Sequence, residues 1–329
     1  MRVAIIGAGL AGAACARALK AHGFDIEIFD KGRGAGGRLS TRRTDVSGTS
    51  VRFDHGAQFV TADHESFRAF LTDAETAGHA AIWPGRLLSI DRHGNKDVLR
   101  PRDRFVGVGG MNQIAKYALA PMDVHFSTRA NRIMRSGDQW TIEFDEAEPQ
   151  RAFDRVVLTL PPEQLIEFLA RSEGDFSDII YQARHSVVRP CWTVMAVLED
   201  AFDPGFDGAK IYGGAIRWMA RMASRPGQSD TEAIIIQASP DWSETFLEDE
   251  PDNIVRMLCE EAYVRFGIPT PAWSSAHRWR FAMVEEPAST PCALDETGHV
   301  GVAGDWRIDG RAEAAWISGE AVAQALINA

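Results

Sequence analysis

Lysine is scarce in this 329-residue chain: Lys20, Lys31, Lys96, Lys116 and Lys210 are all it has, and none follows Lys210. Few side-chain amines are therefore on offer for catalysis. Cysteine is as thin, with Cys15, Cys191, Cys259 and Cys292 scattered and never paired as CxxC. That spacing writes neither a disulfide framework nor a zinc site, and it suits a reducing compartment. The nine histidines include no HExxH, so no metal is expected. No apolar run has the length of a membrane span. The formal net charge of −11 argues against nucleic acid or an anionic membrane as a partner. The stretch from Val3 to Leu19 has the apolar and small residues of a secretory leader, but only Arg2 precedes it as a charge. A cytoplasmic location is the expectation.

Glycine, by contrast, is placed with care. "RVAIIG" is a short β-rich run, "LAGAACARALKAHG" has a helical pattern, and "FDIEIFD" is a second strand that stops on Asp30. Strand, tight turn, helix and strand in this order make a βαβ unit of a parallel sheet. Further along, "RFVGVGGMNQIAKYALA" and "FDRVVLTLPPEQLIEFLA" each turn from strand into helix. "DVHFSTRANRIMRSGDQWTIEFDE" alternates like two or three antiparallel strands with a turn at Ser136-Gly137-Asp138. The middle mixes strands such as "CWTVMAVLE" and "EAIIIQAS" with helices such as "NIVRMLCEEAYVRFG". The expected fold is α/β. A discontinuous Rossmann-type cofactor domain comprises 1–58, 105–165 and 293–329. A mixed-sheet plus helix substrate domain comprises 59–104 and 166–292.

Gly7, Gly9 and Gly12 form GxGxxG in its required setting, after a strand and opening a helix. Gly7 permits the turn, Gly9 lets the backbone approach a pyrophosphate, and Gly12 lets helix and strand pack closely. The amides around Leu10 and Ala11 and the positive end of the helix dipole would receive the anion. Asp30, about 20 residues past the glycines, is placed to accept from a ribose 2′-OH and to repel a 2′-phosphate. Each feature alone has a bland use, as an ordinary turn or a solvated strand end; together they point to an adenine dinucleotide, NAD or FAD.

"DKGRGAGGR" decides between them. Gly36-Gly37-Arg38, just past Lys31, resembles the extension of the flavoprotein fold that brings main chain and an arginine against the FAD pyrophosphate. "GHVGVAGDW" and "RAEAAWISGEAVAQAL" then read as a strand tipped by Gly304-Asp305 and a helix opening on small residues. An Asp suits ribityl hydroxyls, and amides at a small-residue helix start suit the flavin N1/C2=O edge, where negative charge develops on reduction. Two such elements far apart in sequence imply one long ligand held at both ends.

GxGxxG, "DKGRGAGGR", "FDHGAQFVT", "AHRW" and "GDWRIDGRAEAAWISG" together resemble the renalase family, within the wider FAD amine-oxidase and aromatic-hydroxylase fold. The resemblance runs along nearly the whole chain. It implies noncovalent FAD, contacted by Gly7, Gly9, Leu10, Ala11, Gly12, Asp30, Lys31, Gly37 and Arg38. It extends the contacts to Gly56, Ala57, Gln58 and Phe59, and to Gly304, Asp305, Arg311, Ala312, Ala314 and Ala315. Ala130 and Pro161 would flank the adenosine half. The activity implied is oxidation of isomeric dihydronicotinamides, the 2-dihydro or 6-dihydro forms of NAD(P), by hydride transfer to flavin N5 and then to O2, giving NAD(P)+ and hydrogen peroxide. Two positions depart from the family pattern: Ala314 stands where Gly is familiar, and Gln237 where a His would sit.

Three functions stay open: this oxidase, an amine oxidase or desaturase on the same scaffold, and a redox-silent protein that keeps FAD as a structural ligand. After GD, related hydroxylases carry Ala residues, a His and a Pro pair; Trp306, Glu313 and Ser318-Gly319 here look like the oxidase branch. Amine oxidases of that branch often use a Lys near flavin N5, and none follows Lys210. A dihydropyridine donor gains aromaticity as it loses hydride, so it needs orientation in a dry pocket more than acid–base machinery. Candidate pocket residues are Trp192, Trp218, Gln237 and Trp279, with His277 and Arg278 as candidate catalytic groups, although a Trp on an alternating strand serves equally well as core.

Overall fold

The computed structural model describes residues 1–145 and 151–329. Strand β1 (Arg2–Ile6), helix α1 (Leu10–Ala21) and strand β2 (Asp25–Phe29) form the expected unit. β1 sits inside a six-stranded sheet, between β2 and Arg155–Leu158, all parallel. Val300–Val302 adds in parallel beyond Arg155–Leu158, and Asp123–His125 beyond β2. Ala293–Leu294 is the antiparallel edge. Val3, Ala4 and Ile5 are fully buried, as a strand covered on both faces requires.

The stretch 123–144 divides between two sheets. Asp123–His125 joins the parallel sheet, while Ala130–Ser136 and Gln139–Phe144 pair antiparallel around the expected turn. The expected stretch runs on to Glu146, which lies outside the described residues.

The second large sheet has seven strands, in the order Trp273–Glu286, Val187–Val197, Ala233–Ala238, Ile216–Arg221, Gly208–Ile211, Leu87–Ile90, Lys96–Val98. Its pairs are antiparallel except Gly208–Ile211 with Leu87–Ile90. Helix Pro251–Phe266 covers one face, where Ile254, Leu258 and Ala262 pack on Val194, Ala196, Ile234 and Ile236. The other face carries Met195, Val197, Ala220, Ala233 and Ile235 into the core that also holds α1. The last helix, Ala312–Asn328, lies on α1: a Cβ on Gly319 would stand 2.2 Å from the Ala11 carbonyl oxygen. Among the described residues, no helix is long and apolar enough to cross a membrane.

Candidate functional site

β1 hands over to α1 through Gly7, whose φ of 119° an L side chain rarely adopts. A Cβ on Gly12 would come 2.1 Å from the Gly7 carbonyl oxygen, so strand end and helix start touch backbone to backbone. Gly9 differs: a Cβ there would meet nothing within 4 Å. It is the N-cap of α1, contributes no capping side chain, and is followed by no acid in the first turn. The amides of Leu10, Ala11 and Gly12 thus open a helix with no side-chain anion of its own. That is a cradle fit for a phosphate.

The Asp30 carboxylate closes this turn. It accepts hydrogen bonds from the Ala8 amide at 2.7 Å and the Gly32 amide at 2.6 Å. The Gly36 amide donates to the Ala8 carbonyl at 3.1 Å, and Gly37 lies against Gly9, its would-be Cβ 3.8 Å from the Gly9 Cα. Lys31 reaches out to Gln164 at 2.8 Å, on the helix capped by Pro161. Ala130 opens the antiparallel hairpin and, half-buried, packs against the core cluster that holds Phe29.

Both extremities of the chain meet at Arg38. Its guanidinium donates to Asp305 Oδ1 at 2.5 Å, and the Trp306 amide donates to the same oxygen at 2.9 Å. Asp305 is 5% exposed, and among the described residues its Oδ2 receives no protein hydrogen bond. Ser318 ties the strand end down by donating to the Pro291 carbonyl and accepting from the Gly304 amide. The last helix starts uncapped at Arg311, with Ala312, the buried Ala314 and Ala315 in its first turn. Arg311 itself pairs with Asp309, Asp63 and Glu313. Glu313, buried, accepts from the Asp63 and His64 amides at 2.5 Å each and so fixes the next helix, Glu65–Thr76.

Gly56-Ala57-Gln58-Phe59 lies between this crevice and the seven-stranded sheet. A Cβ on Gly56 would stand 2.0 Å from the Arg38 carbonyl oxygen, and the Ala57 amide donates to that oxygen at 2.8 Å. From the other side Gln237 donates to the Gly56 carbonyl at 2.7 Å, and Trp279 Nε1 to the His55 carbonyl at 2.9 Å. Strand register puts His277, Thr193, Gln237, Trp218 and Lys210 in one row across five strands. The His277 ring lies 4.8 Å from His55 and 4.6 Å from Trp279, and His55 stacks on Trp279. Burial, then His277 and Arg42, pushes His55 down to about 3; burial and Arg42 push His277 down as well. Both imidazoles are neutral at neutral pH.

Trp192 and Arg278 do not join them. They pair with each other in the register, one residue out of phase with Thr193 and His277, and so point to the opposite face. Trp192 is buried against the covering helix and donates to the Phe246 carbonyl at 2.9 Å. Arg278 lies over the Trp192 ring and pairs with Glu248 at 2.7 Å. The tandem "HRW" hides a parity switch at every step, so adjacent residues cannot share a pocket.

Three contributors escaped the sequence reading. Arg225, 3% exposed, pairs with Asp54 at 2.9 Å and donates to Gln58 Oε1 at 2.6 Å, where Trp218 Nε1 also donates at 3.2 Å. Asp54 accepts in addition from Thr41 and the Met111 amide. His55 and Asp54 sit inside "FDHGAQ" and were legible there; Arg225 comes from a turn with no motif. Lys210 is exposed at the far end of the row, its ammonium over Tyr212.

Residues 5–74 match the family described as an NAD(P)-binding Rossmann-like domain. A mitochondrial protoporphyrinogen oxidase of Nicotiana tabacum is 40% identical over 73 residues, which is 22% of this chain and 14% of that enzyme. Putrescine oxidase, solved with putrescine bound, superposes with a TM-score of 0.74 at 12% identity, covering 100% of both chains. Cyclohexylamine oxidase from Brevibacterium oxydans does so at 0.76 and 13%, covering 100% of this chain and 99% of that one. The chain is thus a mixed α/β protein whose Rossmann-like unit and facing sheet are assembled in the fold of these amine oxidases.

Proposed function

We propose that this chain is an oxidase that holds FAD noncovalently along the crevice from the α1 N-terminus to the start of the last helix. The Leu10 and Ala11 amides with Arg38 would hold the pyrophosphate, Asp30 the adenosine ribose, Asp305 Oδ2 the ribityl chain, and the amides around Ala314 the flavin edge. FAD supplies, when bound, a two-electron acceptor that O2 can reoxidise to give hydrogen peroxide. The fit rests on the open Gly9 cradle, the uncapped helix starts and the free Asp305 oxygen. In this reading segments 1–58, 105–165 and 293–329 serve the cofactor, and 59–104 with 166–292 serve the donor.

The donor we infer is an isomeric dihydronicotinamide of NAD(P). The observation that carries this choice is the row of Trp218, Gln237, Thr193 and His277, which are neutral groups beside Gly56–Phe59. Such a face orients a ring, excludes water and hydrogen-bonds a carboxamide, but offers no ionised base. A dihydropyridine needs none, because loss of hydride restores its aromaticity. His277, neutral and edge-on to His55, is the polar anchor; Gln237, tied to the Gly56 carbonyl, positions the segment behind it.

Amine oxidation is the second reading, favoured by the shared fold with putrescine and cyclohexylamine oxidases and by Lys210 at the end of the same row. Anaerobic flavin bleaching separates the two. Fast bleaching by 2-dihydro or 6-dihydro isomers, with ordinary NADH and amines slow, is expected. Bleaching by putrescine or cyclohexylamine alone selects the amine oxidase, and no bleaching by any donor selects a redox-silent FAD protein.

A further inference from the structure

A β-hairpin lies against the proposed donor face. Its strands, Thr41–Val46 and Thr49–Asp54, pair antiparallel with Arg42 opposite Phe53 and Thr41 opposite Asp54. Phe53 stacks on Trp273 at 5.5 Å, and His55, two residues on, meets His277 and Trp279. Trp273, Ser275, His277 and Trp279 are alternate residues of the strand Trp273–Glu286 and share one face of it. Directly opposite residues of an antiparallel pair share a face too. Arg42 therefore projects on the side of Phe53, toward that row. Ser40 continues the line, its Oγ 3.5 Å from His55 Nε2. Arg42 is exposed, and His277 and Trp279 are half-buried, so solvent reaches the row as well as the arginine.

Among the described residues Arg42 makes no ion pair and no hydrogen bond. The chain has acids to spare, 46 against 35 lysines and arginines, and it sends them to other arginines. Asp305 meets Arg38, Asp54 meets Arg225, and three carboxylates meet Arg189. Arg43 and Arg52 of the same hairpin pair in the register and point to its other face, where Arg52 donates to the Gly109 carbonyl at 3.3 Å. Asp54 shares that other face and is committed to Arg225, Thr41 and the Met111 amide. The field of Arg42 reaches both imidazoles and helps to keep them neutral. An exposed arginine is ordinarily a solvated charge without a task. This one stands unmatched at the rim of a face built to hold a ring.

Resting on the functional reading above, we propose that Arg42 binds the phosphate next to the nicotinamide ribose of the donor, while the ring lies along His277 and Trp279. A guanidinium offers a phosphate two parallel N–H donors. Only one sugar separates ring from phosphate, so the hairpin that brings His55 to the ring brings the cation to the anion. Arg42 then sets a preference for nucleotides over bare ribosides, and the hydride step needs nothing from it. A merely solvated arginine predicts no such preference.

The test uses the FAD-loaded protein and two donors with the same dihydronicotinamide ring, the mononucleotide and the bare riboside. Arg42→Gln is expected to weaken mononucleotide binding about tenfold in anaerobic flavin reduction. Riboside binding and the limiting rate of bleaching should stay within about twofold. Arg42→Lys should restore part of the loss. Added salt should weaken mononucleotide binding to the parent protein and much less to Arg42→Gln. Equal changes for both donors, none for either, or loss of FAD from Arg42→Gln overturn the proposal. A calorimetric titration with oxidised nicotinamide mononucleotide separates the two levels. If neither donor bleaches the flavin, the functional reading has failed; mononucleotide binding that Arg42→Gln abolishes would still support the anchor, and no binding to the parent protein would sink it.

Discussion

The dinucleotide cradle and the seven-stranded sheet achieve their placement by opposite means. In the cradle the actors are main-chain atoms, and side chains matter mostly by being absent. Gly12, Gly56 and Gly319 are positions where a Cβ would strike backbone, Gly7 is one where it would strike the Thr159 hydroxyl, and Gly9 is one where it would intrude on open space. In the sheet the actors are side chains, and which of them matter depends on strand parity and register across five strands. A backbone site is written locally; a sheet face is written by partners remote in sequence.

The largest effect is expected where the two regions are clamped together. Arg225→Met removes the buried partner of Asp54 and a donor to Gln58, at a cost of about 3–5 kcal/mol. Chemical denaturation should show it as a lower midpoint, with loss of cofactor following because Gly56–Phe59 is no longer held. A marginal loss would mean that the segment is fixed from the cradle side alone.

Acid should loosen the sheet side next. His55 is held at about 3 against an ordinary 6.5. Its folded pKa is depressed, so the unfolded chain binds the proton more readily. The stability is complete above 6.5 and is lost as pH falls toward 3, on the order of a few kcal/mol over the whole window. Thermal melts from pH 7 to 4 should fall steeply, and His55→Phe should flatten that fall. Parallel curves for the two proteins would remove His55 as the cause.

On the cradle side, Gly319→Ala forces a methyl against the Ala11 carbonyl and should cost about 1–3 kcal/mol together with weakened FAD retention. Asp305→Asn removes the ionic partner of Arg38 and should weaken FAD about tenfold, read by equilibrium dialysis. The smallest effect sharpens the parity argument. Arg278→Ala should leave donor affinity and bleaching rate within about twofold, whereas His277→Ala should weaken donor binding severalfold. Equal losses would place both residues at one site and contradict the strand register.

The same contrast explains how much could be read in advance. The turn at Gly7, the strand ending at Asp30, Gly36-Gly37-Arg38 and the Gly304-Asp305 tip were legible because spacing alone constrains a backbone cradle. That the two ends touch, through Arg38 and Asp305, followed from the length of the ligand they imply. "AHRW" was legible as an element but not by face, so Trp192 and Arg278 were grouped with residues on the other side of the sheet. Arg225 left no trace: a buried arginine in a Ser-Arg-Pro-Gly turn looks like a surface one until its carboxylate arrives from 171 residues away.

The most direct test of the central claim, that both extremities grip one FAD, is the flavin content of the purified, fully reconstituted protein before and after heat denaturation. One FAD per chain, yellow when folded and released intact on unfolding, is the result expected. A colourless protein that takes up no FAD, or a flavin retained unchanged by Asp305→Asn and Gly319→Ala alike, would contradict it.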